Sequence, residues 1–280
     1  MDLQGATNAL RILLLAAIAV LALGVTLWVF VPAFRGPEAA RRAIGSHRLT
    51  FGAWLTVFVL NGLITVPLQP ILHFDQQFTS GTFLIAALST DIPMFLIVYV
   101  RLIMPGALTW ADLGLRPLPL GYALSMGIGG GVVGLVVSVG VEAVLSRYGL
   151  QPNQLEQYAF VLKEGPPSFA ILLLLGAVVA PFVEELFFRG FVFGLYRRRH
   201  PRWLAYLVSG ILFTIPHLTA GRMNLSQIAG LSVGIFILAL VLAWLYEHTG
   251  SLFPGMLAHA VNNATSLIAF YASNTLTQGG

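Results

Sequence analysis

Apolar residues fill the chain in long runs that recur from residue 10 almost to the C-terminus. The hydrocarbon core of a membrane is about 30 Å thick, so a helix needs about 20 apolar residues to cross it. A kink or a tilt is expected near Pro181, because the run that contains it is long for a single span. The pattern predicts an all-α polytopic transmembrane bundle with about eight spans, near residues 10–33, 51–72, 82–104, 121–145, 168–196, 203–218, 225–246 and 252–271.

The loops between these spans carry most of the charge, since the chain is 57% hydrophobic and only 9% charged. Arginine is concentrated in alternate loops, at 35–48, 101–116 and 197–202. The positive-inside rule places these loops in the cytoplasm and, with eight spans, both termini outside. The long polar loop 146–167 is expected to hold a short surface helix near 153–163, and it is interpreted as a connector rather than a gate.

Composition excludes several classes of site. The chain has no cysteine, which removes disulfides, a thiol nucleophile and a thiolate metal site. Its net charge of +4 is not a nucleic-acid signal, because the basic residues lie in loops and not on one face. The first apolar run lacks the short core and cleavage site of a signal peptide, so a retained helix is expected. The expected surroundings are therefore membrane lipid, with no nucleic-acid partner.

Two glycine patterns resemble functional motifs without their structural context. The G-x-G-x-x-G pattern at 129–134 lies inside a predicted span and not after a strand, which excludes a nucleotide-binding loop. Its glycines are spaced for close helix–helix packing, as the pairs Gly127/Gly131 and Gly130/Gly134. The G-x-S-x-G pattern at 230–234 also lies in a membrane helix and lacks the strand–turn–helix of a nucleophile elbow.

Glu184 and Glu185 are adjacent carboxylates in a strongly apolar stretch, and Arg189 follows one helical turn later. An ionisable side chain at mid-membrane costs roughly 2.5–3.5 kcal/mol, so it is normally paired, hydrated or used. Two neighbouring carboxylates also tend to hold a proton, which suits a general acid or base. A packing salt bridge from Glu185 to Arg189 at i, i+4 is the simpler interpretation, but it leaves Glu184 without a role.

Two histidines lie in the following apolar segments. At 1.5 Å per residue, Glu184 is about 20 Å from the inner end of its helix and His217 about 21 Å from the inner start of the next, so both reach a similar depth. His259 and Asn263 share one helix face at i, i+4 and can donate hydrogen bonds to an oxyanion. A hydrogen-bonded core histidine and a polar clasp between helices are the alternatives.

These residues occur in order on successive apolar segments, as Glu184-Glu185-x-x-x-Arg189, Phe213-x-x-x-His217 and His259-x-x-x-Asn263. The three motifs resemble the signature motifs of the CPBP family, which comprises the type II CAAX prenyl endopeptidases and bacteriocin-processing or immunity relatives. The tract 112–116 (DLGLR) is similar to a short element that precedes the family domain. The resemblance divides the chain into N-terminal membrane helices (1–104), a family-like protease domain (105–271) and a short C-terminal tail (272–280).

The resemblance implies an intramembrane endopeptidase that acts on a membrane-associated protein or peptide. Amide hydrolysis requires an activated water, an oxyanion donor and a proton for the leaving amine. We expect Glu184 to act as the base and then the acid, and His217 to orient the water. His259 and Asn263 would form the oxyanion hole, Arg189 would pair with Glu185, and Phe213 would contribute packing.

Involvement of a metal stays open at this point. Glu184, His217 and His259 are the residue types that bind zinc with an open position for water, and members of the family are often labelled metalloproteases. However, no H-E-x-x-H motif is present, and a metal-free water activated by Glu and His fits the same residues and is slightly favoured.

Two other classes of function are compatible with polar residues inside a bundle. A transporter or proton relay would be expected to show symmetric halves or paired broken helices, which the sequence lacks. A non-catalytic immunity or scaffold protein would keep the pocket but need not keep every motif residue. The expected location is a bacterial-type inner membrane, with the active site opening toward the cytoplasm.

Overall fold

The structure, a computed structural model, describes residues 31–72, 79–149, 155–218 and 225–278, together with parts of the segment 13–29. All regular elements within these ranges are helical. Numbered in chain order, the helices are α1 (Pro37–Ala43), α2 (His47–Leu72), α3 (Ser80–Val98, continued by a π turn over Tyr99–Ile103), α4 (Leu120–Ser146), α5 (Phe160–Glu164), α6 (Pro166–Tyr196), α7 (Arg202–Leu218), α8 (Leu225–Thr249) and α9 (Phe253–Gln278).

Five of these helices are long and apolar enough to cross a membrane, namely α2, α3 with its π turn, α4, α6 and α8. They make the chain an integral membrane protein. The predicted total of about eight spans is not confirmed. Helix α7 has only 17 residues, and α9 carries polar residues such as His259 and Asn263 within its length. The first predicted span, 10–33, is described only in part, and the apolar helix Ala16–Val29 found there is too short to be counted with these five.

Helix α4 packs against both α8 and α9 through the predicted glycine pairs. Gly127 and Gly131 approach α9, whereas Gly130 and Gly134 approach α8. A Cβ atom at Gly127 would lie 2.7 Å from the Leu257 side chain, and one at Gly130 would lie 2.6 Å from a leucine of α8. Neither distance is tolerated by packed atoms, so the glycines allow the helices to approach, as predicted.

The arginine-rich loops all lie at one end of the bundle. Arg41 donates from Nε to the carbonyl of Ala107, at 3.2 Å, and Arg116 donates from Nε to the carbonyl of Gly250, at 2.6 Å. These bonds join the loop before α2, the loop between α3 and α4, and the turn between α8 and α9. The sequence prediction that arginine marks alternate loops at one face is consistent with this arrangement.

The loop 146–167 lies at the opposite end. It carries a 3₁₀ turn (Leu155–Tyr158) and helix α5, close to the surface helix expected near 153–163. The hydroxyl and amide of Ser80 donate to the Glu164 carboxylate, and these bonds hold the pKa of Glu164 below its ordinary value. The last turn of α5 is thereby attached to the start of α3.

Helix α6 is the central element, and α3, α7, α8 and α9 all contact it. Its hydrogen bonding alternates between α (Pro166–Leu174 and Ala180–Glu184) and π (Leu175–Val179 and Glu185–Phe193). Pro181 lies just after the first π stretch. Since proline lacks the N–H that an α-helix needs, a change of hydrogen-bond pattern accompanies the residue that was expected to kink the helix.

Candidate active site

The two carboxylates lie on either side of a change in helix type. Glu184 is the last residue of an α-helical stretch, and Glu185 is the first residue of the π stretch Glu185–Phe193. Short π segments inside α-helices are rare and occur frequently at functional sites. The local geometry therefore singles out the same two residues as the sequence.

Glu185 and Arg189 form a sealed ion pair. Arg189 donates from Nη1 to Oε1 of Glu185 at 2.7 Å, and both side chains are 0% exposed. The guanidinium also donates from Nη2 to the carbonyl of Ala239, at 3.3 Å, and it lies 4.2 Å from the ring centroid of Phe213. The predicted pairing of Glu185 with Arg189 is confirmed.

A glycine lets α9 approach this pair. A Cβ atom at Gly255 would lie 2.9 Å from Oε2 of Glu185, so any larger residue there would collide with the carboxylate. The same Oε2 has no hydrogen-bond partner among the described residues. Gly255 therefore fixes how closely α9 lies against Glu185.

His259 lies between the two carboxylates. Its Nδ1 is 3.2 Å from Oε1 of Glu185, and its Nε2 is 3.8 Å from Oε2 of Glu184, which is longer than a hydrogen bond. The residue is only 2% exposed. The sequence pairs His259 with Asn263 on its own helix, and it contains no signal for this contact with Glu185, which lies 74 residues away.

Glu184 differs from its neighbour in its environment. Its side chain is 16% exposed, and its Oε2 has no hydrogen-bond partner among the described residues. The carboxylate lines a cavity of about 470 Å³, within the range of small-molecule and cofactor sites. One glutamate is thus closed off in a salt bridge, and the other faces open space.

His217 presents one ring nitrogen to the same cavity. Its Nδ1 lies 2.9 Å from the backbone carbonyl of Phe213. A carbonyl only accepts, so Nδ1 carries the hydrogen, and the Nε2 of the neutral ring keeps a free lone pair. The Phe213 ring packs against both imidazoles, with centroids 4.9 Å from His217 and 5.7 Å from His259.

Asn263 is held by the first π stretch of α6. Its Nδ2 donates to the carbonyl of Gly176 at 2.8 Å. An amide group has two N–H bonds, so this contact fixes the side chain and leaves a second donor. The neighbouring Asn262 also lines the cavity, and its Oδ1 has no partner among the described residues.

The cavity collects four of the six residues singled out in the sequence. Glu184, His217, His259 and Asn263 line it, whereas Glu185 and Arg189 do not. The wall also contains Asp91 of α3 and Glu142 of α4, which are not among the residues predicted from the sequence. Asp91 is a lone carboxylate within an apolar run, and that feature alone could have marked it.

The cavity extends to the end of the bundle that is remote from the arginine-rich loops. Phe83, Leu155 and Tyr158, all at that end, line it, and none of its described wall residues belongs to an arginine-rich loop. The opening toward the cytoplasm stays a prediction.

The zinc ligand set considered from the sequence does not form a metal site. Among the described residues, no group of three or more His, Cys, Asp or Glu side chains is placed to hold a metal ion. His217 uses Nδ1 for a backbone carbonyl, and His259 faces a carboxylate with each nitrogen. A metalloprotease is not supported by these side chains.

Comparison with known proteins identifies one family. A family model described as "Type II CAAX prenyl endopeptidase Rce1-like" matches residues 166–265. The predicted family resemblance is confirmed for this segment. It extends from the start of α6 into α9 and contains all seven residues named in the three motifs. The search of curated proteins and the search of solved structures return no match.

Proposed function

We propose that the protein is an intramembrane endopeptidase that hydrolyses a peptide bond of a membrane-associated protein or peptide. The observation that carries the proposal is the cavity in which the Glu184 carboxylate, whose Oε2 has no hydrogen-bond partner among the described residues, lies with His217, His259 and Asn263. The match of residues 166–265 to an endopeptidase family adds independent support.

Glu184 is the general base in this proposal. Its free carboxylate oxygen takes a proton from a water molecule as the water attacks the substrate carbonyl carbon. The free Nε2 of His217 accepts a hydrogen bond from the other O–H of the water. This contact orients the lone pair of the water oxygen toward the substrate carbonyl carbon. Glu184 then returns the proton to the leaving amine, so that one carboxylate serves both steps.

The oxyanion is stabilised from the opposite wall by α9. Asn263 donates through the N–H that Gly176 does not use. In His259, Nδ1–H donates to the Glu185 carboxylate, so Nε2 can donate to the oxyanion only from the doubly protonated ring. The pair Glu185–Arg189 acts through His259 and is a positioning element.

The proposal extends to orientation in the membrane. In a bacterial-type inner membrane, the positive-inside rule places the arginine-rich end on the cytoplasmic side. We propose that the cavity opens toward the opposite face, where Phe83, Leu155 and Tyr158 line it, whereas the sequence led us to expect an opening toward the cytoplasm.

The test is cleavage of membrane-embedded peptide reporters by purified protein in liposomes. Glu184→Gln keeps the shape of the side chain and removes the base, so turnover should fall below detection while the protein remains monodisperse. Glu142→Gln changes another carboxylate of the same cavity and is the matched control, for which turnover should persist.

Turnover by Glu184→Gln at the wild-type rate would remove Glu184 from the mechanism. A folded wild-type protein that cleaves no reporter in a broad panel would contradict the endopeptidase itself. It would instead favour the proton relay or the non-catalytic protein.

A further inference from the structure

Asp91 is a buried carboxylate with no role in the proposed hydrolysis. It lies on α3, is 5% exposed, and lines the cavity together with Glu184. Its Oδ2 has no hydrogen-bond partner among the described residues. A buried polar group is normally hydrogen-bonded, so this exception needs a physical reason.

The backbone around Asp91 is held in place. Asn61 of α2 donates from Nδ2 to the hydroxyls of Ser89, at 2.7 Å, and Thr90, at 2.9 Å. Pro93 follows within the helix. Two contacts to α2 therefore fix the rotation of α3 immediately before Asp91, and the carboxylate is held on the cavity side.

The carboxylates of the cavity wall have no lysine or arginine beside them among the described wall residues. They belong to Asp91, Glu142 and Glu184. The nearest motif cation, Arg189, is fully buried and paired with Glu185 behind the wall. A cationic group that reaches the α3 side of the cavity meets the carboxylate of Asp91, whereas an anionic group there meets repulsion.

We propose that Asp91 binds a basic side chain of the substrate, so that the cavity selects peptides with lysine or arginine close to the bond that is cleaved. This inference rests on the proposed endopeptidase function and adds a class of substrate to it. An extended peptide advances about 3.3–3.6 Å per residue. A cavity of about 470 Å³ therefore holds only a few residues, and the basic residue lies within roughly three positions of the bond.

The first measurement uses three membrane-embedded reporters that differ at one position near the cleaved bond, which carries Lys, Gln or Glu. The wild type should cleave the Lys reporter with a kcat/KM about 30-fold above that for Gln, as expected when a buried charge finds its partner. The Glu reporter should be the poorest substrate.

The second measurement compares variants. Asp91→Asn preserves shape and removes charge, and it should abolish the preference for Lys over Gln. Glu142→Gln should retain that preference, because its side chain is exposed and a solvent-screened charge contributes little. Asp91→Asn should also unfold at the wild-type temperature or above, since Oδ2 of the carboxylate has no hydrogen-bond partner to lose among the described residues.

A third measurement separates this inference from the endopeptidase function. Binding of the same peptides to the Glu184→Gln protein does not require turnover, and it should favour Lys in that background but not in Asp91→Asn/Glu184→Gln. Selective binding without any cleavage by the wild type would retain the cation site and contradict the peptidase. Cleavage with no Lys preference, or a preference that depends on Glu142 and not on Asp91, would overturn the inference.

Discussion

Removal of Arg189 should destabilise the fold far more than removal of Glu184. The guanidinium is fully buried, and its bond to Glu185 measures 2.7 Å. It also donates to the carbonyl of Ala239. Breaking one side of a buried ion pair costs about 3–5 kcal/mol, because the remaining charge has no water to replace its partner, and Glu185 would keep only the contact with Nδ1 of His259. For a domain of this size that corresponds to a fall in Tm of roughly 6–20 °C.

The assay is thermal unfolding in detergent of Arg189→Met, Glu185→Leu and the double variant. Replacing a buried pair by apolar residues of similar size is often close to neutral, so the double variant should recover much of the loss caused by Arg189→Met. Recovery should be incomplete, because Nδ1 of His259 also loses its acceptor, which costs about 1–3 kcal/mol.

Glu184→Gln is the contrasting variant, because it changes the other carboxylate of the adjacent Glu184–Glu185 pair. Oε2 of Glu184 has no hydrogen-bond partner among the described residues and the side chain is partly exposed, so unfolding should be unchanged while cleavage is lost. A wild-type Tm for Arg189→Met, or an equal loss in Arg189→Met and Glu184→Gln, would refute the division of the pair into a structural and a chemical carboxylate.

Two further predictions concern the oxyanion donor and the orientation. Asn263→Ala should lower kcat by about 10²–10³ with little change in substrate affinity, and Asn263→Asp should be comparably damaging. Measurement of the Tm checks that loss of the bond to Gly176 is not the cause, and an Asp variant with most of its activity would exclude the oxyanion role. For orientation, single cysteines in the naturally cysteine-free chain can be labelled in intact cells with a membrane-impermeant maleimide. Tyr148→Cys should react directly and Glu38→Cys only after permeabilisation, whereas the reverse pattern would place the cavity mouth in the cytoplasm.

Local features of the fold follow from the sequence. Apolar runs locate α2 to α4, α6 and α8, because helix length and membrane thickness are related directly. The number of spans does not follow from composition, because α7 is short and α9 is polar. Whether such helices cross the membrane also depends on the helices that pack against them. The glycine pairs on α4 are readable because small residues at i, i+4 have one main use between membrane helices.

In the candidate site, too, contacts within one helix are predictable from the sequence and contacts between helices are not. The Glu185–Arg189 pair is predictable, because residues four apart on a helix are neighbours. The contact from His259 to Glu185 links α9 to α6, and no local spacing records it. The approach of Asp91 from α3 is equally non-local. The order of the motifs identifies the side chains of the candidate site. The difference between the buried, paired Glu185 and the cavity-facing Glu184 depends on packing of the whole bundle.

The π stretch over Glu185–Phe193 has a consequence for the sequences of related proteins. Each residue of an α-helix turns the chain by about 100°, so deleting one residue here would tighten the segment and swing the preceding part of α6 around its axis. Glu184 would leave the cavity even with every motif letter intact. An alignment gap between Arg189 and the end of this stretch would therefore identify a relative that keeps the motif residues at their spacing and has lost the geometry.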